Sequence, residues 1–470
     1  MQWLWVLDKT VAHLMRLHKQ HLVSSLVIPL MLVLSACSPG GENTSPDSEA
    51  ATQDPGVTTL IYAQISENGV DREWLDRFNS EHEGEIQVKV RDYSQVSEDG
   101  QQGINLLMTE IAAGKVPDII ELGTSGETTE LSYQKLARNG FLEDLWPYIE
   151  NDMGLGRVGV IEAPLKAAEI DGGLYTVFEG FQLHTLTGAK AVVGDRTGWT
   201  VEDLLEAFET MPEGSVILET YKDYSVRQHL LASFLYGFSD LFIDLESRQC
   251  YFDGETFRSI LDLVKRVPDE PWWHPFYASQ RDREYEYRNR QMDGLVMLDD
   301  TVFWRFVHLR DAAIYFGGEA TCIGYPVGDG SPGIYIEPRG IKLAMSSTCV
   351  DKDAAWQYIR WLITPKPQEY AGGLPVNKKL FNRVRASVVR ARRMVPVGNE
   401  IYVWDDPMPK EQCEFVTSLF DTNRCSILLD KEVRDIVLDT AGAYFSGDRD
   451  LDQTVQLLNS RVGLYLSEQM

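Results

Sequence analysis

Between Thr58 and Leu122 the hydrophobic period changes repeatedly, and that alternation constrains the fold more than any other feature. "TTLIYAQI" (Thr58 to Ile65) is β-branched and apolar, and reads as a strand. "DREWLDRFNSEH" follows as an amphipathic helix with Trp74, Leu75 and Phe78 on one face. "EIQVKVRDY" alternates Ile86, Val88 and Val90, a strand with one buried face. Ile104, Leu107, Met108 and Ile111 then fall at helical spacing, Gly114 supplies a left-handed stop and Pro117 forbids continuation. "DIIEL" closes the series as a short buried strand. Strand, helix, strand, helix, strand is the start of a parallel α/β layer.

The chain from Val57 onward is too long for one simple core and suits two lobes. What precedes it is not part of the fold. Lys9, Arg16 and Lys19 oppose the single acid Asp8, and Leu22 to Ala36 is an apolar run too short to span a bilayer. A basic start, a short apolar middle and small residues at the end describe a secretory signal over residues 1–36. Leu34-Ser35-Ala36-Cys37 resembles the lipobox of bacterial lipoproteins, which implies cleavage before Cys37 and lipid attached there. Residues 37–57, rich in Ser, Thr, Gly, Pro and acids, bury too little to order themselves and read as a disordered tether. The expected location is the outer face of a cell membrane, held by lipid rather than by a span.

The formal net charge of −27 excludes nucleic-acid binding, which needs basic patches, and disfavours a strongly anionic ligand. Five cysteines remain beyond Cys37: Cys250, Cys322, Cys349, Cys413 and Cys425. None has the paired spacing of a metal site. Cys322 with Cys349 and Cys413 with Cys425 are open to two readings, as disulfides or as buried thiols.

A family resemblance then becomes visible. A helix running into "AAGKVPDII", followed by Gly140, Leu142 and Leu145 in "NGFLEDLWPYI", resembles the solute-binding proteins of ABC importers, in particular the sugar-binding lipoprotein group similar to maltose-binding protein. "GGLYTVFEGFQLHTLTGAKAVVGDRTGWTVEDLLEAFE" resembles the segment where such chains cross between lobes. It lacks the aliphatic-Tyr-Asn strand that many relatives carry there. Thr200 is placed to cap the next helix, with Asp203 at the capping-box position and Trp199 packing before it. "IGYPVGDGSPGIYIEPRGIKLAMSSTC" resembles the return, read as a Gly-x-Pro strand, a glycine-rich loop and a second strand. A helix striped by Trp356, Ile359, Leu362 and Ile363 follows. The resemblance implies a two-lobe α/β fold, with 58–179 and 330–372 in lobe one and 180–329 and 373–470 in lobe two. It implies a binding protein and no enzyme, without cofactor or metal, acting as a monomer. Its partners are a carbohydrate ligand, importer permease subunits and the membrane through the lipid.

No catalytic motif appears. Asp299 and Asp300 are adjacent on a strand pattern and so point to opposite faces, which prevents both acting on one bond. A surface glycoside hydrolase and a receptor for a peptide or an amine are the competing readings. Ligands of doubly wound lobes sit beyond the C-terminal ends of the strands, which nominates the loops after "LIYAQI" and "DIIEL", with Ser66, Glu67, Thr124, Ser125 and Glu127. Glu179 lies at the crossing, and Glu337 and Arg339 at the return. Asp300 and Trp304 are candidates in lobe two, together with Trp272 and Trp273 of the aperiodic cluster "PWWHPFY". Aromatic planes suit the apolar faces of sugars while acids and amides suit their hydroxyls.

Overall fold

The computed structural model describes residues 56–97, 100–123, 133–220, 225–244, 247–269, 279–327, 333–368, 373–389, 393–397, 400–404, 407–419 and 431–468. The lipidation candidate Cys37, the loop residues Thr124, Ser125 and Glu127, and the Trp272–Trp273 cluster lie outside these residues.

The opening alternation folds as its periods require. β1 (Thr58–Gln64) lies between β2 (Ile86–Asp92) and β3 (Ile119–Glu121), parallel to both. Helices α1 (Arg72–Glu81) and α2 (Gln101–Ala112) make the crossovers. Asp71 caps α1 by accepting from the Trp74 N–H at 2.8 Å. Gly114 ends the second crossover at φ +78°, the left-handed stop its sequence announced.

β4 (Val177–Ala189) then runs through the whole body. After the small pair β5 (Ile243–Asp244) and β6 (Gln249–Cys250), the chain returns to β4 with β7 (Leu298–Phe303), β8 (Ala320–Cys322), β9 (Tyr335–Met345) and β10 (Leu374–Pro375). All four pair with β4 antiparallel, and β9 also pairs with β3, so one sheet of eight strands joins the molecule. A separate hairpin, β11 (Arg393–Val397) with β12 (Glu400–Trp404), stands apart from that sheet.

Alternation along the strands sorts the side chains into cores on opposite faces. Leu60, Tyr62, Ile119, Leu343 and Met345 enter the first core, with Phe181, Leu183, Phe303, Phe306 and Ile359. Ala63, Ile65, Ile120 and Ala344 face the other way, into a second core with Ile104, Leu107 and Ile111. A third core gathers around Leu186 from helices α3 (Val201–Thr210), α4 (Val226–Phe238) and α5 (Glu255–Arg266). The first core also takes the stripe of α6 (Lys352–Ile359) and the turn after it: Trp356, Ile359, Leu362 and Ile363 are all buried. The chain's last part is shared out. Val376, Phe381, Met408 and Val416 pack in the first core, whereas α7 (Lys431–Phe445) and α8 (Leu451–Glu468) pack in the third.

Thr200 and Asp203 form the reciprocal capping box of α3, with N–H to side-chain distances of 2.7 and 3.2 Å. Trp199 packs against the third core. One expectation needs correction, and one open reading is decided. The Gly-x-Pro segment is not a strand: β8 stops at Cys322, because Gly324 turns the chain at φ +84° and Pro326 has no N–H to pair. Cys322 and Cys349 are separate buried thiols, pushed up to about 12 by burial, and Cys413 is likewise a thiol. Cys425 lies outside the described residues. No helix among the described residues is long and apolar enough to cross a membrane.

Candidate functional site

Two polar groups are built around the shared strand β4, and the nominated residues are divided between them.

The first group lies at the C-terminal ends of β1 and β3. Glu121 ends β3 fully buried, and its carboxylate turns onto the loop that follows β1. Oε2 accepts from the Ile65 and Ser66 N–H groups at 2.8 and 3.2 Å, and Oε1 accepts from the Ser66 hydroxyl. Ser66 is therefore buried and committed to Glu121, not exposed as its loop position suggested. The Gln64 amide donates to the Ser66 and Glu67 carbonyls at 2.7 and 3.2 Å, and the Arg72 guanidinium holds Gln64 in place at 2.9 Å. Tyr62 donates to the Gly69 carbonyl. Gly69 is needed at this point, because a Cβ there would overlap the Glu121 carboxyl. This bracing presents Glu67 to solvent on a fixed loop.

Glu179 joins the group from β4. It stands opposite a bulge in β9, where the register shifts between Phe178 and Gly180 and Gly340 takes φ +77°. The Glu179 carboxyl fills the space that a Cβ on Gly340 would need, and accepts from the Ile341 N–H at 3.1 Å. Burial is the main reason its carboxyl is pushed up to about 7; nearby Asp71 adds to this and the Ile341 N–H works against it. Among the described residues it forms no ion pair. The same surroundings raise Tyr62 well above 10, through burial first and then Glu121 and Glu179 among its neighbours.

The second group follows from register. Antiparallel partners share a face, so Gln182 and His184 stand beside Glu337 and Tyr335 on β9, with Asp300 two positions along on β7. One Glu337 oxygen takes the Gln182 amide at 2.5 Å and His184 Nε2 at 2.6 Å. That short carboxylate contact requires the proton on Nε2, and His184 Nδ1 is buried without a partner among the described residues. The His184 ring stacks on Tyr335 at 4.5 Å. Asp300 accepts from the Tyr325 hydroxyl at 2.5 Å and lies 2.8 Å from His229 Nε2, contributed by α4. Burial works to raise both carboxyls. Hydrogen bonds and charge from His229 on Asp300, and from His184 on Glu337, outweigh it and hold both below the ordinary carboxylate range.

Glu67 and Glu179 thus belong to the first group, and Asp300 and Glu337 to the second. Arg339 pairs with Gly180, which puts it on the Glu337 face. Trp304 directly follows β7, edge-on to His308 at 4.8 Å and under the Arg305 guanidinium at 4.1 Å, a packed ring. Asp299 points away from Asp300, toward Tyr287, Arg288 and Thr301, so the two acids do not converge. Sequence reasoning missed Glu121, Gln182, His184 and His229. Glu121 was hidden because "DIIEL" reads as an apolar strand, and Gln182 and His184 because β4 is nearly all buried. Among the described residues no three His, Cys, Asp or Glu side chains form a metal-holding set.

Known proteins agree with this architecture. The chain aligns over 87% of its length and 98% of theirs with the sugar-binding protein MalE of Xanthomonas citri, at 18% identity and a TM-score of 0.54. A periplasmic oligogalacturonide-binding protein of Yersinia enterocolitica aligns over 88% and 100%, at 16% identity and 0.55. A family 1 extracellular solute-binding protein of Alicyclobacillus acidocaldarius aligns over 88% and 99%, at 16% identity and 0.51. Identities this low establish the two-lobe binding-protein fold. No curated protein matches the sequence. The family model of the bacterial extracellular solute-binding proteins matches residues 73–385, from the first crossover helix to beyond the return of the sheet, and the chain belongs to that family.

Proposed function

We propose that the chain is the lipid-anchored receptor of an ABC importer, taking a neutral carbohydrate between two lobes and passing it to the permease. The supporting observation is the braced loop beyond β1 and β3, which presents Glu67 to solvent, with Glu179 nearby on β4 accepting from the Ile341 N–H. Carboxyl oxygens facing a crevice suit a ligand rich in hydroxyl donors and repel anions. The sugar-binding relative and the oligogalacturonide-binding relative support a carbohydrate, and the neutral class rests on the carboxyls here, since an oligogalacturonide is itself a polyanion. Glu127, Trp272 and Trp273 remain proposed contacts that would line the rest of the crevice. Arg339, Glu337, Asp300 and Trp304 are assigned a secondary place, on the β9–β7 face where the lobes meet. β4 and β9 serve as the crossing strands. In this reading lobe one holds 58–179 and 330–372 and gains the segment around 376–419, and lobe two holds 180–329 and the final helices. Closure about those strands is driven by ligand contacts made only when the lobes meet.

A thermal-shift screen of the mature protein against neutral mono- and oligosaccharides tests the ligand class. One-site binding to the native state stabilises by about 2.7 kcal/mol at a hundredfold excess over Kd. A shift given by amines or peptides, with none from any sugar, transfers the protein to the other solute class. The anchor is tested separately. Cys37→Ala is expected to stop incorporation of labelled fatty acid and to leave precursor or released protein. Labelling at the wild-type level would remove the anchor from the proposal.

A further inference from the structure

We propose that Glu179 is the proton-taking group of the crevice, and that capture of a neutral polyhydroxyl solute binds one proton there. This rests on the carbohydrate reading and goes further, since it ties capture to pH and separates neutral from cationic ligands. The geometry carries it. Glu179 is lodged at the β9 bulge, where Gly340 alone leaves room for its carboxyl, and its hydrogen bond there comes from the Ile341 N–H. Asp71 at the start of α1 is the charged side chain that acts on it, and Glu179 shares the surroundings of Tyr62 on β1 with Glu121, Tyr358 and Arg72. Arg72 is engaged with Gln64, and Arg339 and Lys342 flank the bulge along β9 without an ion pair to Glu179 among the described residues.

Burial at the bulge disfavours the carboxylate and pushes this carboxyl up to about 7, which puts both forms within reach near neutrality. A solute that covers the crevice removes the remaining water while Asp71 stays, and both changes favour the neutral acid. The neutral acid also gains an O–H donor, so it meets a sugar hydroxyl as donor and acceptor together. An ammonium ligand would act oppositely, holding the carboxylate and expelling the proton. The sign for the ligand-free fold follows from the raised value. The folded state holds this proton more tightly than the unfolded chain, so the contribution is present below the ordinary Glu range and is lost as pH rises through about 7.

The test begins without ligand. Carbon-13 NMR of the side-chain carboxyls of the mature protein should show one Glu resonance titrating near neutrality, absent in Glu179→Gln. Asp71→Asn keeps a helix-capping side chain and should move that midpoint down. A wild-type spectrum with no such resonance, or its persistence in Glu179→Gln, overturns the proposal. The second arm uses maltotriose, cellotriose and mannotriose as neutral probes. Affinity should fall about tenfold between pH 6 and pH 8 in the wild type, as the neutral fraction of a group titrating near 7 does, and stay level in Glu179→Gln. Tighter binding at pH 8 overturns the neutral-ligand clause. No binding at either pH counts against the carbohydrate reading itself, and the NMR arm then decides the proton at Glu179 independently.

Discussion

Glu121→Ala is expected to cost roughly 4 kcal/mol of folding stability, a large share of the about 5–15 kcal/mol that holds a native protein together. The residue has no exposed surface, and one carboxylate serves three donors: the Ile65 N–H, the Ser66 N–H and the Ser66 hydroxyl. Removing it leaves those donors buried without an acceptor, at about 1–3 kcal/mol for each that water cannot reach. Glu121→Gln separates hydrogen bonding from packing. It keeps the volume but has one acceptor oxygen, and its amide must face donors, so it should lose about half as much. Denaturant unfolding monitored by fluorescence and by circular dichroism measures both variants. Equal stability of Glu121→Ala and the wild type would show that the loop is not held by this carboxylate. The effect should also be local: hydrogen exchange is expected to quicken at Ile65 to Val70 before the third core changes.

The same residue shows what could be read in the sequence. The alternation from Thr58 to Leu122 was legible because each element buries one face and its period follows. The capping box at Thr200 and the stop at Gly114 were legible because each is a local device with its own residue pattern. Glu121 was not. Its neighbours Ile119, Ile120 and Leu122 define a buried strand, and the acid in their midst acquires meaning only when the chain brings Ser66 against it. His184 and Gln182 are the same case, since β4 is buried from both sides and its polar members look like exceptions in an apolar run.

For Glu179, Glu337 and Arg339 the place along the chain was legible and the face was not. Glu337 and Arg339 were chosen for lying near the return, and they do lie there. Glu179 and Glu337 nevertheless belong to different polar groups, because the register of β4 with β9 places Glu337 beside Gln182 and the bulge carries Glu179 toward Asp71. A bulge is a two-strand property that neither strand's sequence states alone. Gly340 was its one sequence sign, a glycine inside a strand pattern. The Gly-x-Pro segment failed for a related reason: its apolar residues suit a strand, and the backbone of Gly324 and Pro326 does not.

Gly333→Ala is expected to be nearly as damaging, at about 3 kcal/mol or more, although it adds one methyl group. Gly333 opens the return strand with an ordinary backbone, so the cost comes from space and not from a left-handed conformation. A Cβ there would overlap the carbonyl oxygen of Tyr325 and come within 2.7 Å of its amide nitrogen. Both are backbone atoms, and the Tyr325 N–H is bound to the Gly333 carbonyl at 2.7 Å, so neither segment can yield without losing that bond. Moving Tyr325 would also disturb the third core and the hydroxyl that serves Asp300. Without that hydroxyl Asp300 keeps only the 2.8 Å contact with His229 among the described residues, and the His229 side chain is 38% exposed. Gly333→Ala should therefore melt earlier than the wild type, through the backbone overlap and the disturbed Tyr325 together. Tyr325→Phe is the control: it removes the hydroxyl, keeps the ring and leaves the backbone contact alone, so its loss should fall within the about 1.5–3 kcal/mol of a single hydrogen bond to a charged group. Thermal unfolding of the two variants beside the wild type decides the matter. If Gly333→Ala loses no more than Tyr325→Phe, the strand return is loose, and the close backbone approach at Tyr325 does not organise this side of the sheet.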